Sequence, residues 1–91
     1  MRVMANSRLA GGATLEQLTR FFDQNGFSSA VWDLVRHRVV THYWLKVGDV
    51  PGVVLFMEVD SPETASEIVT GLPAVQQGLL TFEADQLGMS L

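Results

Sequence analysis

The sequence contains no cysteine. Disulfide staples, thiolate nucleophiles and cysteine-based zinc sites are therefore excluded, and a cytoplasmic setting is the default expectation. Basic residues are also scarce, with 6 Lys and Arg against 10 Asp and Glu and a formal net charge of −4. An acidic chain with no basic run is a poor match for a phosphate backbone, so no nucleic-acid partner is expected. No apolar run approaches the ~20 residues that cross a bilayer, and Met1–Asn6 lacks the apolar stretch of a signal peptide. The two histidines, His37 and His42, do not have a standard metal-ligand spacing, so no metal is expected. Haem would want a histidine facing a large cavity; His42 is the one candidate, and nothing else argues for it. Gly11-Gly12 is isolated and cradles no phosphate, and there is no G-x-S-x-G nucleophile motif. No cofactor is implied.

What is present is apolar. Hydrophobic residues make up 47% of 91 residues, too many for disorder and enough for one packed domain spanning residues 1–91. A domain of this size buries only roughly 60–65% of the surface its unfolded chain exposes. With no covalent staple, a partner subunit is the usual remedy, and a homo-oligomer is expected.

Arg2–Ser7 alternates weakly and reads as a strand. Thr14 precedes Leu15-Glu16-Gln17 in a T-x-x-Q capping box that opens a helix with Leu15, Leu18 and Phe22 on one face. Asn25-Gly26 interrupts it as a left-handed terminator, and Ser28 or Ser29 caps a second helical piece carrying Ala30, Val31, Leu34 and Val35. Val39–Val47 is dense in β-branched and aromatic residues and predicts a strand. The turn Gly48–Gly52 joins it as a hairpin to a third strand, Val53–Val59. Ser61-Pro62-Glu63 is a helix start. Ala65, Ile68, Val69 and Leu72 line one face of that helix, and Gly71 and Pro73 end it. A fourth strand alternates through Leu80, Phe82 and Ala84. The order βαββαβ is the ferredoxin-like α+β arrangement, a four-stranded antiparallel sheet with both helical regions on one face.

Alternation then sorts the strands into two faces. Val3, Ala5, Tyr43, Leu45, Leu55, Met57, Val59, Leu80 and Phe82 face the helices. Met4, Asn6, His42, Trp44, Lys46, Val54, Phe56, Glu58, Thr81, Glu83 and Asp85 face the other way. Trp44, Phe56, Val54 and Met4 are too apolar to leave in water as one patch. His42, Glu58 and Asn6 are too polar to bury without partners. A pocket partly closed by a second copy, sheet to sheet, satisfies both demands.

The stretches Ala30–Leu34, Val39–Lys46, Pro51–Leu55, Met57–Ser61 and Gly71–Glu83 resemble the muconolactone isomerase-like branch of the dimeric α+β barrel superfamily. The similarity runs from about Thr14 to Leu87, and the LP-x-V-x-x-GLL-x-FE run over Leu72–Glu83 is its most specific part. The resemblance implies the fold, a homodimer with larger rings in some relatives, and a hydrophobic small-molecule ligand. Two features depart from the family pattern. Asn25-Gly26-Phe27 breaks a helix that relatives run more continuously, and Thr41-His42 stands where many relatives carry an Arg-Glu pair.

His42 leads the candidate catalytic residues, because imidazole titrates nearest neutral pH. Glu58 shares its face, and hairpin pairing would bring the two together as an acid–base couple. The alternative is a histidine hydrogen-bonded to a structural glutamate at a dimer interface. Trp44 and Phe56 read either as flat walls for an aromatic ligand, with Met4 beside them, or as interface core. Asn6 is an oxyanion-type donor to a carbonyl or enolate oxygen, or a strand-end residue turned to water. Trp32 lines the pocket from above, or belongs to the core. His37, in Arg36-His37-Arg38, complements a helix C-terminus or contacts an anion. Glu83 and Asp85 read as solvated edge residues.

The resemblance implies a cofactor-independent isomerase or cyclase acting on a small lactone, enone or polyketide-like molecule. Two alternatives are a cofactor-independent monooxygenase of polyketide or aromatic metabolism and a non-catalytic small-molecule-binding accessory protein. An RNA-binding ferredoxin-like domain is set aside, because the first strand carries no aromatic residue and the surface is not basic.

Overall fold

The computed structural model describes residues 1–25, 29–46 and 48–88, apart from the side chains of residues 25 and 29. Its elements are β1 (Arg2–Leu9), α1 (Leu15–Asn25), α2 (Ser29–Arg36), β2 (Val40–Lys46), β3 (Gly52–Glu58), α3 (Pro62–Thr70), α4 (Pro73–Gln76) and β4 (Leu80–Leu87). The strands form one antiparallel sheet in the order β2-β3-β1-β4. This is the expected βαββαβ α+β fold. The anticipated terminator at Gly26, a cap at Ser28 and the strand end at Val47 lie outside the described residues.

Local chemistry sets the helix starts. The Thr14 N–H donates to Gln17 Oε1 at 3.0 Å and the Gln17 N–H donates to Thr14 Oγ1 at 3.1 Å, so the capping box closes reciprocally. Ser61 Oγ accepts from the Thr64 N–H at 3.2 Å, and Pro62 occupies the first turn of α3. Pro73, expected only to end α3, instead opens the short helix α4. A proline that cannot continue one helix is pre-set in φ to begin the next.

The core lies on one side of the sheet. Leu55 and Met57 are wholly buried between Val3 and Ala5 on β1, Val40 on β2 and Ala65 and Val69 on α3. Truncating either side chain to alanine removes roughly 2–5 kcal/mol. Ala30, Val31, Leu34 and Val35 of α2 pack on the same cluster. Leu18 of α1 makes a second, smaller cluster with Ala74 and Leu80, flanked by Phe21 and Phe22. Leu15, expected on that buried face, is 53% exposed, because α1 meets the core through Leu18 one turn further on.

β2 contains an irregularity that the simple alternation did not anticipate. Val40 pairs with Met57, but His42 pairs with Phe56, so one extra residue lies between them. This bulge lets Val40 sit in the core while His42, two residues on, faces the opposite side.

Two helices end in the same way with different residues at the left-handed position. After α2, the Arg38 N–H donates to the Val35 carbonyl at 3.0 Å and the Val39 N–H to the Leu34 carbonyl at 2.9 Å. After α4, Gly78 donates to Val75 at 3.0 Å and Leu79 to Ala74 at 2.9 Å. These are Schellman closures. Their pivot residues, Arg38 and Gly78, have φ of 60° and 73°. A side chain there costs roughly 1 kcal/mol, partly offset by reduced freedom in the unfolded chain. Gly78→Ala should therefore lower the unfolding free energy by about 1 kcal/mol, and Arg38→Gly should raise it by a few tenths. Urea midpoints of the two variants measure the opposite signs directly.

Candidate active site on the open face of the sheet

The helices cover one face of the sheet. Among the described residues, the other face is built from Met4 and Asn6 on β1, His42, Trp44 and Lys46 on β2, Val54, Phe56 and Glu58 on β3, and Glu83 and Asp85 on β4. Register sets these into rows. His42, Phe56, Met4 and Asp85 lie side by side across the four strands, and Trp44, Val54, Asn6 and Glu83 form the next row. Directly opposed residues on adjacent strands have Cβ atoms about 5 Å apart. Trp44 is 62% exposed in the single chain, a large apolar surface left to water.

His42 is oriented by its neighbours. Its ring meets Phe56 edge-on, with centroids 6.4 Å apart and planes at 88°. Its Nδ1 lies 3.3 Å from Thr41 Oγ1, and that hydroxyl donates to the Phe56 carbonyl, also at 3.3 Å. A hydroxyl has one proton, so Thr41 Oγ1 accepts from His42 while donating to Phe56. The contact orients the ring through Nδ1 and leaves Nε2 outside it. Sequence reasoning saw Thr41 only as part of a departure from the family pattern. Its orienting role follows from the bulge, which brings two consecutive residues opposite Phe56.

Glu58 is on the same face but is engaged elsewhere. Arg2 Nε donates to Glu58 Oε1 at 3.0 Å, and the amino terminus lies 3.6 Å from Oε2. The hairpin places Phe56, not Glu58, opposite His42. Hence the structure brings together His42, Phe56 and Met4 in one row and Trp44 and Asn6 in the next, and it places Glu58 with Arg2. Trp32 is on the other side of the sheet, edge-on to Tyr43 at 6.0 Å and 50% exposed. His37 Nδ1 donates to the Asp33 carbonyl at 2.7 Å, and Arg36 pairs with the Asp33 carboxylate, so this basic stretch closes the end of α2.

Asn6 has an unforeseen partner. Lys46 Nζ donates to Asn6 Oδ1 at 2.7 Å and to the Ser7 carbonyl. Ser7 is itself 1% exposed, and its Oγ accepts from the Val53 N–H at 2.7 Å. No local spacing in the sequence signals this cluster, because Lys46 reaches Asn6 across forty residues of sequence.

A groove of about 290 Å³ runs between α3 and β4 on the helical side, lined by Val69, Val75 and Phe82 with Ser66, Thr70 and Gln86. No titratable side chain lines it. Among the described residues no group of His, Asp and Glu is placed to hold a metal ion, and no helix is long and apolar enough to cross a membrane.

No family model matches this sequence, and no curated protein does. Among solved structures it is similar to the 5-chloro-2-hydroxyhydroquinone dehydrochlorinase of Burkholderia phenoliruptrix AC1100, in complex with 2,5-dihydroxybenzoquinone. The TM-score is 0.72 at 16% identity, covering 99% of this chain and 96% of that one. The likeness shows the fold, a four-stranded antiparallel sheet in the βαββαβ arrangement.

The exposure of Arg2 and Glu58 sets the worth of their pair. Both side chains are well exposed, so Glu58→Gln should cost under about 1 kcal/mol, and less at high salt. Urea unfolding at two salt concentrations checks this.

Proposed function

We propose that the chain is a small-molecule enzyme whose chamber is the open face of the sheet, closed by a second copy packed sheet to sheet. The reaction class we favour is an isomerisation or cyclisation without a cofactor, on a small lactone, enone or polyketide-like molecule. His42 Nε2 removes a proton from carbon next to a carbonyl, and the resulting imidazolium returns it at another carbon. Trp44 and Phe56 hold the flat substrate, Met4 fills the wall beside Phe56, and Asn6 donates to the oxygen that gathers negative charge.

The observation that carries this reading is the placement of His42 beside Phe56 and Thr41 on the open face. Its Nδ1 lies beside Thr41 Oγ1, which donates to the Phe56 carbonyl, and its ring stands edge-on to Phe56 on the face that the described helices leave bare. The apolar exposure of Trp44 supports closure by a second copy. The ligand in the structurally similar dehydrochlorinase, 2,5-dihydroxybenzoquinone, is a flat oxygenated ring. A chamber walled by Trp44 and Phe56 suits such a shape.

One observation favours a second reading. Glu58 is engaged by Arg2 and the amino terminus, which leaves His42 without the carboxylate first expected as its catalytic partner. A chamber that binds without turnover would need none.

Sedimentation and proton exchange separate these readings. Sedimentation of the whole chain should give a dimer at micromolar concentration. Small lactones and enones in D2O should then exchange hydrogen at carbon next to the carbonyl, as followed by NMR. His42→Ala should slow this exchange by about a hundredfold or more, and Thr41→Val should slow it less. A dimer that binds 2,5-dihydroxybenzoquinone with Trp44 quenching but exchanges no hydrogen supports the binding module. A monomer that binds nothing defeats both.

A further inference from the structure

We propose that Lys46 is the positioning residue of this chamber. It turns the Asn6 amide so that both Nδ2 protons face a ligand oxygen, and it adds a cationic N–H beside them. The inference rests on the reading of the open face as a ligand chamber, and it names the group that face selects: a carbonyl or anionic oxygen on a flat ring.

An ammonium group can only donate. Lys46 Nζ stands 2.7 Å from Asn6 Oδ1, so that end of the amide is the oxygen and the other end is the NH2 group. Among the described residues nothing accepts from Nδ2. The nearest carboxylate on the adjoining strand, Glu83, lies opposite Asn6 in the register but is not bonded to it. Of the three ammonium protons, one goes to Asn6 and one to the Ser7 carbonyl. The third is left for a ligand. Three N–H bonds with no protein acceptor therefore gather next to Trp44, which shares a row with Asn6. These N–H groups favour a ligand oxygen over an ammonium, which can only donate.

The backbone explains how a lysine on β2 reaches β1 across the strand between them. Lys46 is opposite Gly52, so no side chain on β3 blocks its path. A Cβ at Gly52 would stand 2.5 Å from Ser7 Oγ and 3.0 Å from the same Ser7 carbonyl oxygen that Lys46 contacts. That oxygen is available because the Val53 N–H is satisfied by the Ser7 hydroxyl. Gly52, Ser7 and Lys46 thus form one device, and its output is the orientation of Asn6.

The test has two arms. In the first, the side-chain 15N–1H2 pair of Asn6 is followed by NMR in the wild type, Lys46→Met and Lys46→Arg, with backbone signals of β3 and α3 reporting intact folding. The pair should move towards the position of a free amide in Lys46→Met and be largely restored in Lys46→Arg. If it is unchanged in Lys46→Met, the inference is overturned whatever the chamber binds. In the second arm, 2,5-dihydroxybenzoquinone is titrated against Trp44 fluorescence in a Trp32→Phe background, which removes the second tryptophan. Lys46→Met and Asn6→Ala should each weaken binding about tenfold. The double variant should be weaker than either but well short of the product of the two losses, because part of the Lys46 effect acts through Asn6. Losses that multiply to about a hundredfold overturn the positioning role. If the Asn6 pair responds to Lys46→Met but the wild type binds no probe, the chamber reading fails while the Lys46–Asn6 contact stands.

Discussion

The orientation of β2 depends on one extra residue between Val40 and His42. A strand has a period of two, so a buried Val40 would carry His42 and Trp44 into the core with it and turn Thr41 and Tyr43 outwards. The bulge breaks that parity. It keeps Val40 packed against Met57 and yet delivers His42 and Trp44 to the face that the helices leave bare. It also sets Thr41 and His42 together opposite Phe56, which is what links the imidazole, the hydroxyl and the Phe56 carbonyl. Both the position of the imidazole and its contact with Thr41 follow from that single insertion.

The remainder of the open face follows from one-sided cover. α2 and α3 supply enough apolar surface to seal one side of the sheet, where Leu55 and Met57 are fully buried. The other side carries Trp44, Phe56, Val54 and Met4 with no covering element among the described residues. Charged groups stand around that apolar strip: Arg2 with Glu58 at one end, Lys46 with Asn6 at the other, and Glu83 and Asp85 along the β4 edge. An apolar strip of this size framed by charged groups is suited to a chamber more than to a wet surface, and this is the physical basis for the proposed closure by a second copy.

Signals that act over three or four residues were legible from the sequence. The Thr14–Gln17 box, the Ser61-Pro62 start, the hairpin around Gly48–Gly52 and the two-sided alternation of β1, β3 and β4 all appear as expected. Contacts between distant residues were not. Nothing near Glu58 indicates that Arg2 and the amino terminus would hold it, because β1 pairs with β3 over more than fifty residues. Trp32 has the spacing of a helix face, but which side of the sheet that face meets depends on how α2 docks, and it meets Tyr43. Alternation placed Lys46 on the open face but not its partner on β1, which it reaches past Gly52.

The sequence by itself determined the order of elements, the hydrophobic face of each and the separation of a greasy strip from a core, because propensity, capping and alternation are local properties. Only the tertiary structure decided which polar groups meet: His42 with Thr41 in place of Glu58, Asn6 with Lys46, and Glu58 with Arg2. Those partnerships depend on register and on a bulge. Both arise when strands distant in sequence settle against one another and satisfy their backbone hydrogen bonds together.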